Sequence, residues 1–285
     1  MSKISRKNGV VLVLGILLIL IAGLFIWLRV ETSPVISPFK EVYVDSLDSI
    51  VIQSDSLVVP IIYHGNPDLR KVRGEERKDL FVNLMLPSIM IAQKKVERER
   101  KKLERLAQKI EKGRIKAHDS LLVDSIVTYF KCKDIHQVIN SLENHPVSII
   151  LAQAAIESGW GTSRFFLEAN NVFGIWSYNE FEERIAASET RDDNTIYLRK
   201  YNNLYGSVYD YLITVARAPA YKKLREVRLE SDDPYELIQY LVNYSELRDE
   251  YVKILGAVIR QNDFTQYDHY KLVDIDEDDP LWQSL

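Results

Sequence analysis

The protein has 285 residues, with 37 lysines and arginines against 41 aspartates and glutamates, and a net charge of −4. Because there is no basic excess to neutralise phosphates, the composition argues against a nucleic-acid-binding protein. The single cysteine, Cys132, excludes an intramolecular disulfide and a cysteine-based zinc site, and the five histidines show no metal-binding spacing, so we expect neither a metal nor a cofactor.

An uncharged apolar run at residues 9–28 follows Lys3, Arg6 and Lys7. Roughly 20 helical residues span about 30 Å, the thickness of a membrane hydrocarbon core. The run is longer than the apolar region of a secretory signal peptide and has no convincing small-residue cleavage site after it. We therefore predict an uncleaved single-pass anchor in the inner (cytoplasmic) membrane, with residues 1–8 as a cytoplasmic tail. The rest of the protein would lie on the periplasmic or extracytoplasmic side.

Residues 29–73 contain several prolines and short β-like stretches, with little helical pattern. Two interpretations fit such a segment: a spacer, or an extended arm laid over the domain that follows. We favour a partly ordered, exported stalk.

A long helical pattern begins at Glu75, is interrupted near Pro87 and ends at Gly113. Beyond the proline, apolar residues keep three-and-four spacing among many charges, with Glu99 as the one exception. The pattern permits a coiled coil and hence self-association, but it has fewer than four clean heptads. We therefore favour an amphipathic helix that packs along its own domain. Two further helices are predicted at 121–130 and 135–142.

Residues 146–158 form a helical pattern that is apolar nearly all round, as in a core helix, and Gly159 and Gly161 end it. Its one carboxylate, Glu157, falls in the last turn, at the negative end of the helix dipole and among apolar neighbours. Both effects disfavour ionisation and should raise its pKa. A carboxyl that stays protonated near neutral pH can act as a general acid. The alternative is a helix-end carboxylate that points into solvent.

Residues 177–201 change character, because apolar and polar residues alternate after the turn-forming sequence Asp192-Asp193-Asn194. This pattern predicts a β-hairpin. Further helices are predicted at 208–216, 220–228, 234–242 and 250–260. The acidic tail, 273–285, is predicted to be frayed.

The segment AQAAIESGWGTSRF, followed by EANNVFGIW, resembles the glucosaminidase signature of glycoside hydrolase family 73, and more narrowly the Bax-type glucosaminidases of bacterial envelopes. The resemblance extends over roughly residues 74–265. It implies that Glu157 is the catalytic acid. It also implies a helical N-terminal part of a Bax-like domain at 74–145 and a catalytic core at 146–272.

The fold class implied is α+β and mainly α: a lysozyme-like helical domain with a small β-hairpin lobe, preceded by the transmembrane helix and the long charged helix.

Hydrolysis of a glycosidic bond usually needs two carboxyl groups. In related glucosaminidases the second one lies in the β-lobe, in a short Thr/Ser-x-Glu-like segment. The closest match is Ser188-Glu189-Thr190, so the resemblance makes Glu189 the second catalytic residue, with Glu183 in reserve. The family also allows the substrate's own N-acetyl group to assist instead of a carboxylate.

Aromatic rings can pack against the apolar faces of sugars while their polar tips bind hydroxyls. Several aromatics follow Glu157 closely or match positions of the family, and one amide lies four residues before it. The predicted substrate-binding residues are Gln153, Trp160, Trp176, Tyr178, Tyr221 and Tyr244. For each aromatic the alternative is packing in the core, an alternative at least as strong for Trp160.

The function predicted is that of a membrane-anchored peptidoglycan hydrolase. It would act as an endo-β-N-acetylglucosaminidase that cleaves β-1,4 bonds of the glycan strands with Glu157 as general acid. One alternative is a lytic transglycosylase, which needs an acid but no activated water. The other is a non-catalytic glycan-binding or scaffold protein that retains the groove.

Overall fold

A computed structural model describes residues 40–53, 56–114, 116–191 and 194–273, without the side chains of 117, 188–191 and 194. The predicted anchor at 9–28 and all but the first residue of the acidic tail lie outside the described residues. Within the described ranges, no helix combines the length and the hydropathy needed to cross a membrane. The anchor stays a prediction.

The described part of the protein is α+β and mainly helical. Its α-helices are α1 (Gly74–Glu111), α2 (Ala117–Phe130), α3 (Ile135–Ser141), α4 (Val147–Ser158), α5 (Arg164–Ala169), α6 (Leu204–Arg217), α7 (Lys222–Val227), α8 (Pro234–Leu237) and α9 (Asp249–Gln261). Its strands are β1 (Lys40–Tyr43), β2 (Leu57–Val58), β3 (Ile61–His64), β4 (Arg184–Arg191), β5 (Asn194–Arg199) and β6 (Lys271–Leu272). Short 3₁₀ helices include Pro219–Tyr221, Ile238–Leu241 and Phe264–His269.

Helix α1 runs through Pro87 without a break, so the predicted interruption there is wrong. A proline inside a helix removes one intrahelical hydrogen bond. Most residues from 81 to 92 are nevertheless buried. Because packing of an apolar face supplies most of the stability of a helix in a protein, that burial holds α1 together across the proline.

The apolar stripe in the second half of α1 faces its own domain, where α1 packs against α6. Val96, Leu103 and Ala107 are buried there. The exceptional Glu99 is buried as well, and it accepts a hydrogen bond from the Tyr209 hydroxyl at 2.7 Å. Lys95 pairs with the same carboxylate at 3.1 Å. The face that a coiled coil would need is therefore covered within one molecule, as the amphipathic-helix interpretation requires.

Residues 40–73, in their described parts, pack onto the helical body. Strand β1 pairs in parallel with β3, and β2 pairs in parallel with β6 from the other end of the domain. Val58, Ile61 and Leu69 have no exposed surface. The described residues of this segment therefore form an extended arm laid over the domain and not a free spacer. The expectation of a stalk does not hold for them.

Helix α4 lies at the centre of the core, as its composition predicts. Every residue from Val147 to Ala155 is buried, and the helix packs against α1, α9 and the 3₁₀ helix Phe264–His269. Gly159 ends it with a left-handed φ of 59°, a conformation that glycine adopts without steric cost.

The predicted β-hairpin is present as β4 and β5, which pair antiparallel with an irregularity between Ala186 and Thr190. Residues 175–177 line the other edge of β5. Ser177 N–H donates to Tyr197 O at 2.7 Å, and Arg199 N–H donates to Ile175 O at 3.0 Å. These elements form the β-lobe, residues 175–199, which contacts α5, the helix that follows α4.

Candidate active site

Glu157 occupies the last turn of α4 and is half-buried, so it is not a carboxylate that points into bulk water. The Tyr251 hydroxyl, from α9, donates a hydrogen bond to Glu157 Oε1 at 2.9 Å. Burial raises the pKa of Glu157, and the hydrogen bond from Tyr251 partly offsets that rise. The local environment thus has the property that the sequence predicts for a general acid.

Tyrosines form one wall of the site. The ring of Tyr244 stacks on that of Tyr251, with centroids 5.4 Å apart and planes 14° from parallel, and the ring of Tyr221 lies 6.1 Å from Tyr244. Burial raises the pKa of all three phenols, and the nearby charge of Glu157 raises each pKa further. They therefore remain neutral hydroxyls next to the acid. The structure brings the predicted residues Tyr221 and Tyr244 to Glu157.

Tyr251 was not among the predicted site residues, yet it makes the one direct side-chain hydrogen bond to Glu157 among the described residues. The sequence does contain a feature that could have indicated it. Tyr251 is the second tyrosine of the segment YSELRDEY, whose first tyrosine is the predicted site residue Tyr244. Only the fold shows that the second ring, and not the first, bonds to the carboxyl group.

Gln153 makes no side-chain hydrogen bond to Glu157 and is closed to solvent, which corrects its predicted role as a substrate-binding residue. Its side chain has no exposed surface. The amide oxygen accepts a hydrogen bond from Tyr211 at 2.5 Å, and the amide nitrogen donates to the Tyr251 oxygen at 3.2 Å. Gln153 lies one helical turn before Glu157, but its amide group points into the core, where both of its hydrogen-bond partners lie.

The predicted aromatics fall into two groups. Trp160 packs edge-on against Phe81 at 5.6 Å and near Phe264 at 6.0 Å, so its contacts are those of a core residue. Trp176 and Tyr178 lie on the β-lobe, 6.1 Å apart, and are 39% and 84% exposed. Exposed rings of this kind can meet a sugar.

Two asparagines attach the β-lobe to the end of α5. The buried Asn171 donates to Ile175 O at 3.0 Å and to Arg199 O at 2.8 Å, and it accepts from Ile175 N–H at 3.0 Å. Asn170 ends α5 in a left-handed conformation and donates to Tyr201 O at 2.6 Å. The Asn-Asn pair therefore positions the lobe relative to the helix that carries the acid.

The second catalytic carboxylate is not identified by the described geometry. The backbone of Glu189 lies in β4, but its side chain is outside the described residues. The reserve candidate Glu183 is exposed. Its neighbour Glu182 is engaged by the Ser177 hydroxyl at 2.7 Å and by Arg199 at 3.3 Å. In the described parts of the chain, no cluster of three His, Cys, Asp or Glu side chains could hold a metal ion.

A half-buried carboxyl of raised pKa at the end of a core helix, beside neutral phenols, is the kind of group that serves as the acid in glycoside hydrolases. Residues 133–264 match the glucosaminidase family, described as mannosyl-glycoprotein endo-beta-N-acetylglucosaminidase. The chain therefore carries a domain of the glucosaminidase family, as the sequence resemblance predicts.

Two curated relatives support this assignment. The exo-glucosaminidase LytG of Bacillus subtilis (strain 168) is 28% identical over 128 residues, which cover 42% of this chain and 45% of LytG. Protein bax of Escherichia coli (strain K12) is 25% identical over 211 residues, which cover 69% of this chain and 74% of Bax. The chain thus spans less than half the length of LytG.

Among solved structures, the catalytic domain of the autolysin Auto from Listeria monocytogenes is similar at 24% identity with a TM-score of 0.38, covering 54% of this chain and 89% of that one. A C-terminally truncated glycoside hydrolase domain of Salmonella typhimurium FlgJ is similar at 21% identity with a TM-score of 0.33. The similarity covers 48% of this chain and 95% of that chain.

Proposed function

We propose that this protein is a peptidoglycan hydrolase in which Glu157 is the general acid of a lysozyme-like catalytic domain. The observation that carries the proposal is the half-buried carboxyl of Glu157, with its raised pKa, beside Tyr221, Tyr244 and Tyr251. The substrate class is supported by the family of the domain and by the resemblance of its signature to the glucosaminidases of bacterial envelopes.

In the proposed reaction, Glu157 protonates the glycosidic oxygen as the C–O bond breaks. The oxocarbenium-like state that results needs stabilisation from the opposite face. The carboxylate of Glu189 on the β-lobe would provide it, or the acetamido group of the sugar itself. Trp176 and Tyr178 would supply the platform on which the sugar ring lies.

The direct test is clearing of a peptidoglycan suspension by the purified full-length protein. General acid catalysis contributes roughly 10²–10⁴-fold, so Glu157→Gln should lower the clearing rate at least about 100-fold. The same variant should still sediment with peptidoglycan.

Glu168→Gln is the matched control, because Glu168 is an exposed glutamate on α5 with an ion pair to Arg164. Equal clearing by wild type and Glu157→Gln would remove Glu157 from the reaction. Binding without clearing by the wild type would favour the scaffold alternative.

Mass spectrometry of the products separates the remaining chemistries. Reducing N-acetylglucosamine ends on fragments of many lengths support an endo-glucosaminidase. Release of small fragments from strand ends alone would instead indicate exo-cleavage, the activity in the name of LytG. Ends in 1,6-anhydro-muramyl sugar would overturn hydrolysis in favour of lytic transglycosylation.

We further infer that residues 9–28 anchor the enzyme in the inner membrane with the catalytic domain outside the cytoplasm. The uncharged run and its basic flank support this. An anchored protein should stay with membranes after alkaline carbonate extraction and be degraded when protease is added to spheroplasts. Recovery in the soluble fraction would contradict the anchor. Residence at the membrane would restrict cleavage to glycan strands within reach of its outer face.

A further inference from the structure

Four side chains join Glu157 to the buried Arg228 through a continuous series of hydrogen bonds. From Glu157 inward the series comprises Tyr251, Gln153, Tyr211, His145 and Arg228. Its donor–acceptor distances, in that order, are 2.9, 3.2, 2.5, 3.1 and 3.3 Å. We call it the hydrogen-bond series.

Most of the hydrogen-bond series is closed to solvent. Gln153, Tyr211, His145 and Arg228 are all buried, at 0–7% exposure. They come from α4, α6, the turn before α4, and the residue after α7. A polar series of this kind is costly to bury unless every member is satisfied. Because the series ends on Glu157, we looked to that residue for a role of these buried polar groups other than packing.

One member fixes the direction of every bond. A guanidinium has only donors, so Arg228 must donate to His145 Nδ1. Burial, with Arg228 beside it, lowers the pKa of His145 to about 3, so the ring is neutral and carries its proton on Nε2. Burial also lowers the pKa of Arg228 to about 10, which still leaves it charged at neutral pH.

The remaining bonds follow in turn. His145 Nε2–H donates to the oxygen of Tyr211, whose own proton must then go to Gln153 Oε1. The Gln153 amide nitrogen faces Tyr251 and donates to it, so the Tyr251 proton is directed at Glu157 Oε1. If the direction were not fixed, Gln153 could turn its oxygen towards Tyr251 and take that proton away from Glu157.

We propose that Arg228, His145, Tyr211 and Gln153 are positioning residues that act on catalysis by holding the Tyr251 hydroxyl as a donor to Glu157 Oε1. Because Oε1 is committed as an acceptor, the acidic proton of Glu157 resides on Oε2, the oxygen without a hydrogen-bond partner among the described residues. The geometry thus selects which oxygen delivers the proton. This inference rests on the proposed role of Glu157 as general acid.

The titratable groups that face Glu157 come from several elements: Tyr211 on α6, Tyr221 in the 3₁₀ helix before α7, Tyr244 before α9, and Tyr251 on α9. All four are phenols whose pKa is raised by burial, so they do not ionise near neutral pH. A change in the titration of Glu157 upon substitution within the hydrogen-bond series therefore reports the hydrogen bond at Oε1.

The test is ¹³C NMR titration of glutamate carboxyl carbons in the full-length protein, with the Glu157 resonance assigned by its loss in Glu157→Gln. Tyr251→Phe removes the donor and should raise the pKa of Glu157 by about one unit. Arg228→Met and Tyr211→Phe should raise it in the same direction. Because Tyr211→Phe removes no charge and keeps the ring, it remains informative if Arg228→Met does not fold.

Arg225→Met is the matched control. Arg225 lies in α7, near Arg228, and is half-buried, but it donates to the backbone carbonyls of Val215 and Ala218 at 2.9 and 2.7 Å and not to the hydrogen-bond series. We expect it to leave the titration of Glu157 unchanged. Combining Arg228→Met with Tyr251→Phe should give no larger shift than Tyr251→Phe alone, since both act through one bond.

An unchanged titration of Glu157 in folded Tyr211→Phe, alongside a raised pKa in Tyr251→Phe, would overturn the inference. The distal residues would then serve packing only. The alkaline limb of the pH–activity profile should move to higher pH in the same variants. If the wild type has no hydrolytic activity, the proposed function fails, and the NMR titration still decides whether the hydrogen-bond series sets the proton affinity of Glu157.

Discussion

The helical part of the candidate site and the β-lobe are built in different ways. On the helical side, the functional group Glu157 is held by a side-chain hydrogen bond from Tyr251, which is itself fixed from the core. On the lobe side, Asn171 holds the backbone, while Trp176 and Tyr178 remain exposed. The difference is between a carboxyl group that is fixed by hydrogen bonds and a lobe whose aromatic rings remain open to solvent.

The largest effect is expected from removing a carboxylate of the β-lobe, because this tests whether the lobe also contributes a catalytic group. If Glu189 is the second carboxylate, Glu189→Gln should slow clearing about 100-fold, while Glu183→Gln should leave the rate near that of the wild type. Clearing rates and circular dichroism spectra of both variants decide this. A wild-type clearing rate in Glu189→Gln would exclude Glu189 as the second catalytic carboxylate. It would favour assistance by the acetamido group of the substrate instead.

Breaking the attachment of the lobe should have the next largest effect. Asn171→Ala removes three hydrogen bonds, those with Ile175 N–H, Ile175 O and Arg199 O, so we expect a loss of about 3 kcal/mol in the free energy of unfolding. Urea denaturation measures it. The control is Asn179→Ala, whose side chain is exposed and accepts one hydrogen bond from Phe181 N–H; it should change stability by no more than about 0.5 kcal/mol. Similar losses in the two variants would mean that Asn171 does not anchor the lobe.

Two glycines, one after α4 and one at the entry to the β-lobe, allow the rigidity of these two regions to be compared. A Cβ at Gly161, beyond α4, would lie 2.8 Å from Leu69 Cδ1 of the arm, and the residue has a φ of 73°. Gly174, at the entry to the lobe, has a φ of 65°, but a Cβ there would meet no other atom within 4 Å. Gly161→Ala should cost about 2–3 kcal/mol and Gly174→Ala about 1 kcal/mol, the strain of the left-handed backbone alone. Equal losses of stability would show that the contact with the arm is loose.

The smallest expected effect is a gain in stability from removing the acid. Since folding raises the pKa of Glu157, the stability associated with this group is present below the ordinary glutamate pKa and is lost as pH rises through the folded-state value. Glu157→Gln should therefore be at least as stable as the wild type at pH 7–8, and the difference should shrink towards pH 4. Thermal unfolding across this pH range provides the measurement. A variant that is less stable at pH 8 than at pH 4, relative to the wild type, would contradict a raised pKa.

Sequence reasoning succeeded where the determinants are local. The apolar pattern of α4 with glycines after it places Glu157 correctly, and the alternation around the turn at 192–194 predicts the hairpin. It failed where the determinants are contacts between distant residues. Tyr251 is 94 residues from Glu157, and no periodicity records their hydrogen bond. Gln153 was misassigned because spacing along a helix gives the neighbours of a side chain on that helix but not the partners that other elements bring.

The arm and α1 show the same limit. Pro87 normally marks the end of a helix, and only burial on the assembled core explains why α1 continues through it. The short strands of residues 40–73 pair with each other and with β6 near the opposite end of the described chain. Such a pairing cannot be predicted from the arm alone.

The pH dependence of peptidoglycan clearing, measured for the wild type and Glu157→Gln, tests the central claim most directly. A general acid works only while protonated, so the wild-type rate should fall on the alkaline side as Glu157 loses its proton. Glu157→Gln should be at least about 100-fold slower throughout and lack that dependence. A glutamine variant that keeps both the rate and the alkaline decline of the wild type would show that another group donates the proton.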